Sequence, residues 1–180
     1  IVALSESEIF VDGGAWTGDT LLKFVENTKN KYSKYYAFEP DLANGAQLNI
    51  LVNKKEFHSV HIISKGLWNK VDVLRFASEG NMNSAISEQG STSIEVDTIN
   101  NVSPDATFIK MDIEGAELNA LKGAAETIKR NRPKLAISIY HRPADLFEIP
   151  LFIKSLVPEY RLYLRQHQAV SFDMVLYAVI

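Results

Sequence analysis

Cysteine is absent, which excludes a disulfide framework and any thiolate-ligated metal. No apolar run approaches the roughly 20 residues that cross a bilayer. The opening Ile1-Val2-Ala3-Leu4-Ser5-Glu6 lacks the basic start of a signal peptide, so the chain reads as cytoplasmic. It also lacks an initiator Met, and an upstream segment that shapes the substrate pocket is expected. Positive charge is in short supply: 19 Lys and Arg against 22 Asp and Glu leave a net charge of −3. With no stripe of Lys and Arg, a dedicated nucleic-acid surface is not expected. What remains, 46% hydrophobic and 23% charged over 180 residues, fits one globular domain spanning 1–180. There is no linker, internal repeat or low-complexity tract.

The most informative stretch is Ile9-Phe10-Val11-Asp12-Gly13-Gly14-Ala15-Trp16-Thr17-Gly18, an apolar strand running into a glycine-rich turn. A second strand, Tyr35 to Phe38, ends in Glu39-Pro40-Asp41. Strand, glycine turn, helix and an acid at the next strand's tip make the front half of a nucleoside-cofactor site. A dinucleotide fingerprint would need glycine where Ala15 stands, and a carboxylate at Asp12 repels a pyrophosphate. No Gly-Lys-Ser/Thr ending is present, which disfavours a P-loop. S-adenosylmethionine fits better, because Asp12 suits its ammonium and sulfonium charges and it carries no phosphate. Glu39 lies 21 residues beyond Gly18, the offset at which an acid accepts the ribose hydroxyls. Two rivals share this layout: an NAD(P)-dependent oxidoreductase, and a non-catalytic module that binds cofactor or glycan.

Strands and helices alternate along the rest of the chain. A helix over 18–29 is expected to turn Leu21, Leu22 and Val25 inward, and Asp41 to cap a helix reaching Asn53. Strands follow over 60–64 and 71–76, then a Ser-, Gly- and Asn-rich stretch over 78–93 reads as a mobile loop. Residues 107–111 form a buried strand that stops at Asp112-Ile113-Glu114-Gly115. One helix then places Leu118, Leu121, Ala125 and Ile128 on a single face and ends before Pro133. A strand over 135–139 ends in Tyr140-His141, and a last helix carries Ile149, Phe152, Ile153 and Leu156, with Pro150 near its start. Closing strands over 160–165 and 174–179 imply a mostly parallel α/β sheet, helices on both faces and one antiparallel strand.

In a doubly wound sheet, ligands sit beyond the carboxyl ends of the strands. The residues there are Asp12 to Gly14, Glu39, Gly66 to Trp68, Asp112 to Glu114, and Tyr140-His141. Asp112 and Glu114 suit proton acceptance, hydroxyl binding or a Mg²⁺ ion, although two carboxylates without a nearby His cluster do not define a metal site. His141 is the most attractive general base, with an ordinary pKa close to neutrality. His58, His61 and His167 read as surface or structural, and Trp16 or Trp68 could pack on adenine or a sugar face.

These residues make the chain resemble the FkbM-type family of S-adenosylmethionine-dependent methyltransferases over nearly its whole length. The likeness rests on Val11-Asp12-Gly13-Gly14 with Gly18-Asp19-Thr20, on Ala37-Phe38-Glu39-Pro40, on Val96-Asp97-Thr98-Ile99, and most specifically on Phe108 to Glu117 with Leu121-Lys122-Gly123. It implies a class I methyltransferase fold, a Rossmann-like doubly wound sheet of seven strands with one antiparallel strand near the C-terminal edge. By this resemblance Asp12, Gly13, Gly14 and Gly18 line the cofactor's amino-acid end and Glu39 holds its ribose, with Pro40, Leu67 and Asp112 expected beside them. From their place at the strand ends, His141, Asp112 and Glu114 are the expected catalytic residues, and no metal is expected. The expected acceptor is a hydroxyl on a small molecule, sugar, glycan or secondary metabolite. The segment after residues 108–111 lacks the Pro-Pro-Tyr that holds a flipped base, which disfavours a nucleic-acid amine. A homodimer is left open.

Overall fold

Seven strands hydrogen-bond in the order β10-β11-β9-β8-β1-β2-β3 in the computed structural model, which describes residues 2–77, 85–86, 92–167 and 173–180. The strands of this sheet are β1 (Ile9–Gly13), β2 (Lys34–Phe38), β3 (Val60–Ile63), β8 (Phe108–Met111), β9 (Lys134–Ser138), β10 (Arg161–Gln166) and β11 (Met174–Val179). β3, β2, β1, β8 and β9 run parallel, while β11 is antiparallel to both of its neighbours, β9 and β10. This is the doubly wound, seven-stranded sheet expected from the sequence.

Each face of the sheet is covered because the strands alternate their side chains. Phe10 points to the face packed by α1 (Asp19–Thr28) and α2 (Leu42–Lys55), where it joins Leu21, Phe24, Tyr35, Leu48 and Phe108. Its ring stacks on Phe108 at 4.4 Å and meets Phe24 and Tyr35 at 4.8 and 5.0 Å. Val11 points the other way, into a core with Ile109, Leu121, Ile128, Ile137, Ile149 and Ile153. That face carries α4 (Glu117–Lys122), α5 (Ala125–Asn131) and α6 (Asp145–Leu156). Each of these buried side chains contributes about 1.5–3 kcal/mol of transfer free energy.

Local details depart from the sequence reading in four places. Phe24, not Leu22, is the second inward residue of α1; Leu22 is exposed. The helix expected after β8 is split into α4 and α5 at Gly123-Ala124. A Cβ on Gly123 would lie 2.0 Å from the carbonyl oxygen of Trp68, so the break lets a neighbouring loop press against the backbone. Pro150 sits in the second turn of α6 rather than at its start, where it forgoes one helical hydrogen bond. Fourth, a smaller sheet stands apart, in the order β4-β7-β5-β6: β4 (Gly66–Leu67), β5 (Asp72–Ala77), β6 (Ala85–Ile86) and β7 (Thr92–Asp97). The one-turn α3 (Ile99–Val102) leaves it, capped by Thr98 Oγ1 accepting from Asn101 N–H. Most of the stretch read as a mobile loop lies outside the described residues. None of the described helices is long and apolar enough to cross a membrane.

Candidate functional site

From β1 the chain builds outward to β2 and β3 on one side and returns to β8 and β9 on the other. The reversal falls between β1 and β8, where an open α/β sheet leaves a crevice. Gly13 stands opposite Met111 in register, and Asp112 N–H donates to the Gly13 carbonyl at 3.1 Å. Gly14 and Ala15 both donate their N–H to the Phe38 carbonyl, which draws the glycine turn across the tip of β2. Gly14 has φ +73°, and a Cβ there would fall 2.1 Å from the Asp112 carbonyl oxygen. Only glycine fits between the two loops.

Glu39 closes this corner from the β2 side. Its Oε2 accepts from Trp16 N–H at 2.8 Å and its Oε1 from Asp41 N–H at 2.9 Å. Burial raises its pKa, an effect the two N–H donors partly offset. A carboxylate has about four acceptor positions, so two bonds leave capacity for hydroxyls. Asp41, as expected, caps α2 by accepting from Ala43 and Asn44 N–H. Pro40 follows Glu39 and is half-buried. Leu67 is buried with its Cδ1 directly against Gly13, and Gly18 lies beneath Leu48 and Leu51 of α2. Trp16 is 42% exposed at the turn, so it is not a core residue.

Asp12 requires a correction. The sequence reading placed its charge toward a cationic cofactor, but the carboxylate is fully buried and engaged by Tyr35 and Lys110. The cause is strand alternation: Asp12 shares the face of Phe10, beneath α1, and its register partners are Ala37 and Lys110. The Tyr35 hydroxyl donates to Oδ2, and Lys110 Nζ lies 3.0 Å from Oδ1. Burial raises the Asp12 pKa while the Lys110 charge opposes the rise. Lys110 also donates to the carbonyls of Gly13 and Gly14, at 3.3 and 2.9 Å. The pair therefore pins the turn from below. Lys110 lies within the stretch that resembles the family, but its role needed the β1–β8 register to be seen.

Across the crevice, Asp112 and Glu114 follow β8 and His141 follows β9. The chain bends sharply at Glu114 (φ +55°) and Gly115 (φ +91°). His141 Nε2 lies 3.4 Å from Asp112 Oδ1 and 3.4 Å from Glu114 Oε2, while Nδ1 lies 3.0 Å from Glu117 Oε1. All three predicted catalytic residues thus meet at one point. Tyr140 joins them by donating its hydroxyl to Asp112 Oδ1 at 3.1 Å. Burial and the nearby acids push its phenol pKa well above the ordinary range.

Glu117 is the member that the sequence alone does not single out, since in sequence it is an ordinary acid in the first turn of a helix. It is fully buried, and its Oε1 also accepts from Ile113 N–H at 2.8 Å. Burial works to lower the His141 pKa, but Glu117, Asp112 and Glu114 together raise it. Burial raises the Glu114 pKa too, with Asp112 and Glu117 adding to it against His141. Donor atoms of Asp112, Glu117 and His141 lie within 4.8 Å of one another, close enough to ligate one ion. The reading against a metal rested on two carboxylates without a nearby His cluster; the fold adds the buried Glu117 and brings the single His141 into contact with the acids. Of the other histidines, His58 stacks on Tyr32, His61 on Tyr36, and His167 bonds Tyr177.

Residues 12–170 match the model of the methyltransferase FkbM domain. The crystal structure of methyltransferase FkbM from Methylobacillus flagellatus superposes with a TM-score of 0.85 at 33% identity, over 99% of this chain and 45% of that one. The chain therefore spans less than half the length of that relative. A Streptococcus mutans protein crystallised with S-adenosylhomocysteine shares the fold, with a TM-score of 0.58, 15% identity, and coverage of 98% of this chain and 91% of that chain. Aeropyrum pernix fibrillarin, crystallised with natively bound S-adenosylmethionine, shares it with a TM-score of 0.52, 10% identity, and coverage of 99% and 70%. No curated protein matches the chain. The match over most of its length, together with the Methylobacillus relative, makes this chain a member of the methyltransferase FkbM domain family.

Proposed function

We propose that the domain is an S-adenosylmethionine-dependent methyltransferase acting on a hydroxyl, of a sugar, glycan or secondary-metabolite acceptor. One observation carries this reading: a nucleoside-type corner at the ends of β1 and β2 and an acid–imidazole cluster at the ends of β8 and β9 flank the point where strand order reverses. The Gly13 carbonyl bonded to Asp112 N–H joins the two halves. Bound cofactor would supply a methyl group already activated by its positive sulfur. Glu39 would hold the ribose hydroxyls, and the Gly13-Gly14 turn, with no side chains between backbone and ligand, would take the amino-acid end. The Asp12–Lys110 pair acts from below as the support that fixes this turn.

With the donor so activated, the protein mainly has to position the acceptor and receive one proton. Asp112, Glu114 and His141 are grouped for that task at the crevice edge, with Asp112 and Glu114 partly open to solvent and His141 beneath them. A nicotinamide cofactor fits less well, since Ala15 replaces the glycine that lets a backbone approach a pyrophosphate.

Calorimetric titration with S-adenosylhomocysteine tests the cofactor half. The chain should bind it, and Glu39→Gln should weaken binding by about tenfold, the scale of one charge-assisted hydrogen bond pair. Absence of heat at millimolar ligand, or equal affinity for NADH, would overturn the reading. A labelled-methyl screen against sugar nucleotides and small hydroxylated acceptors tests the hydroxyl half.

A further inference from the structure

Glu117 and His141 are deeply buried, and their polar atoms are poorly served. Glu117 is 0% exposed, yet its Oε2 has no hydrogen-bond partner among the described residues. The His141 side chain is 9% exposed, and its contacts with three carboxylates at 3.0–3.4 Å lack hydrogen-bond alignment at either ring nitrogen. Asp145, at the start of α6, is 1% exposed and adds a fourth carboxylate whose charge reaches both Glu117 and His141. The basic side chains nearby are Arg142, which acts on Asp145, and Lys110, which is engaged by Asp12. Four acids around one imidazole leave negative charge that a proton on His141 balances only in part. Such a group is costly to bury unless protons or a cation complete it.

We infer that Asp112, Glu117 and His141 ligate one divalent cation at the carboxyl end of β8 and β9, with Glu114 at its open side. This rests on the proposed hydroxyl transfer for the cation's purpose, which is to orient acceptor oxygens beside the Gly13-Gly14 turn; Glu114, which is not a ligand, is then the group left to receive the proton. Atoms bound about 2.1 Å from one ion lie about 3–4.2 Å apart, depending on whether they are adjacent or opposite. The atoms lie within 4.8 Å of one another, and because Asp112 meets Nε2 of His141 while Glu117 meets Nδ1, binding through one ring nitrogen requires Asp112, the most exposed of the three, to move inward. Two carboxylates with one imidazole suit Mn²⁺ better than Ca²⁺, which prefers oxygen alone. Carboxylates and imidazole from three separate segments also explain why spacing in the sequence does not reveal the site.

The test is a Mn²⁺ titration of the chelator-treated chain, with free ion followed by electron paramagnetic resonance. One equivalent should bind and saturate below about 1 mM, and Glu117→Gln and His141→Gln should each weaken it by at least about tenfold. Glu95→Gln, at a surface ion pair with Lys65, should change nothing. Failure of the unsubstituted chain to saturate, or unchanged Mn²⁺ binding in both site variants, would overturn the inference and leave a buried ion pair. If His141→Gln does not fold, the unsubstituted titration and Glu117→Gln still decide. S-adenosylhomocysteine binding on the same preparation separates the two ideas. Cofactor bound without Mn²⁺ removes the cation alone; Mn²⁺ bound without cofactor supports the cation and removes the methyl-transfer reading.

Discussion

Glu8 and Glu117 are both fully buried carboxylates, one beneath each end of the main sheet, and the protein treats them in opposite ways. At the amino end, Glu8 accepts from Ser5 N–H at 2.8 Å and Thr107 Oγ1 at 2.5 Å, and it ion-pairs with Lys134. Burial works to raise its pKa, but Lys134, Thr107 and Ser5 more than reverse this, and the carboxyl is held below its ordinary range. At the carboxyl end, Glu117 keeps one oxygen without a partner among the described residues and faces an imidazole crowded by other acids. The first arrangement locks the N-terminal segment onto β8 and β9. The second leaves a buried oxygen unpartnered among the described residues, at the end of the sheet where the proposed site lies.

The comparison breaks most severely at Gly14. Gly14→Ala puts a methyl group into the Asp112 carbonyl at a positive φ, so the two loops must part. S-adenosylhomocysteine affinity should fall about 100-fold or more, equivalent to about 3 kcal/mol, by calorimetry. A variant that bound normally would show that the turn is not part of the cofactor corner.

The closed end gives the next largest effect. Glu8→Ala strands Lys134 and the Thr107 hydroxyl and should cost about 2–3 kcal/mol in urea unfolding at pH 7. The same pair predicts an acid dependence. Because the folded pKa of Glu8 lies below its ordinary 4.5, its stabilisation is fully present above that value and is lost as pH falls through the folded pKa. The stability gap between the original chain and Glu8→Gln should therefore shrink below about pH 4. A gap that stayed constant would detach Glu8 from acid unfolding.

Glu117→Gln sharpens the contrast with the smallest change in stability. It removes a buried charge with an unpartnered oxygen and keeps an acceptor for Ile113 N–H. Thermal and urea unfolding should move by less than about 1 kcal/mol in either direction, against the larger loss at Glu8. A loss as large as that at Glu8 would mark Glu117 as structural and erase the distinction between the two ends.

Local sequence carried much of this. The Gly13-Gly14 turn, the Glu39 offset, the Asp41 cap and the alternation of strands and helices were all readable, because turn chemistry and periodicity act over a few residues. The grouping of Asp112, Glu114 and His141 at one rim also followed from strand ends alone. Leu22 was misjudged because periodicity does not say which of two adjacent leucines the neighbouring strand will cover. The break at Gly123 was hidden because its cause, the Trp68 carbonyl, arrives from a distant loop.

The sequence by itself determined the layered α/β architecture, the position of the crevice and most of the residues around it. Tertiary structure alone decided which way those side chains face. Strand register buried Asp12 against Lys110 and Tyr35, and the meeting of the start of α4 with the residues that follow β9 brought Glu117 to His141 across 24 residues of chain. The physical reason is that local preferences set backbone conformation, whereas charge pairing and desolvation depend on neighbours that meet only after the sheet has formed.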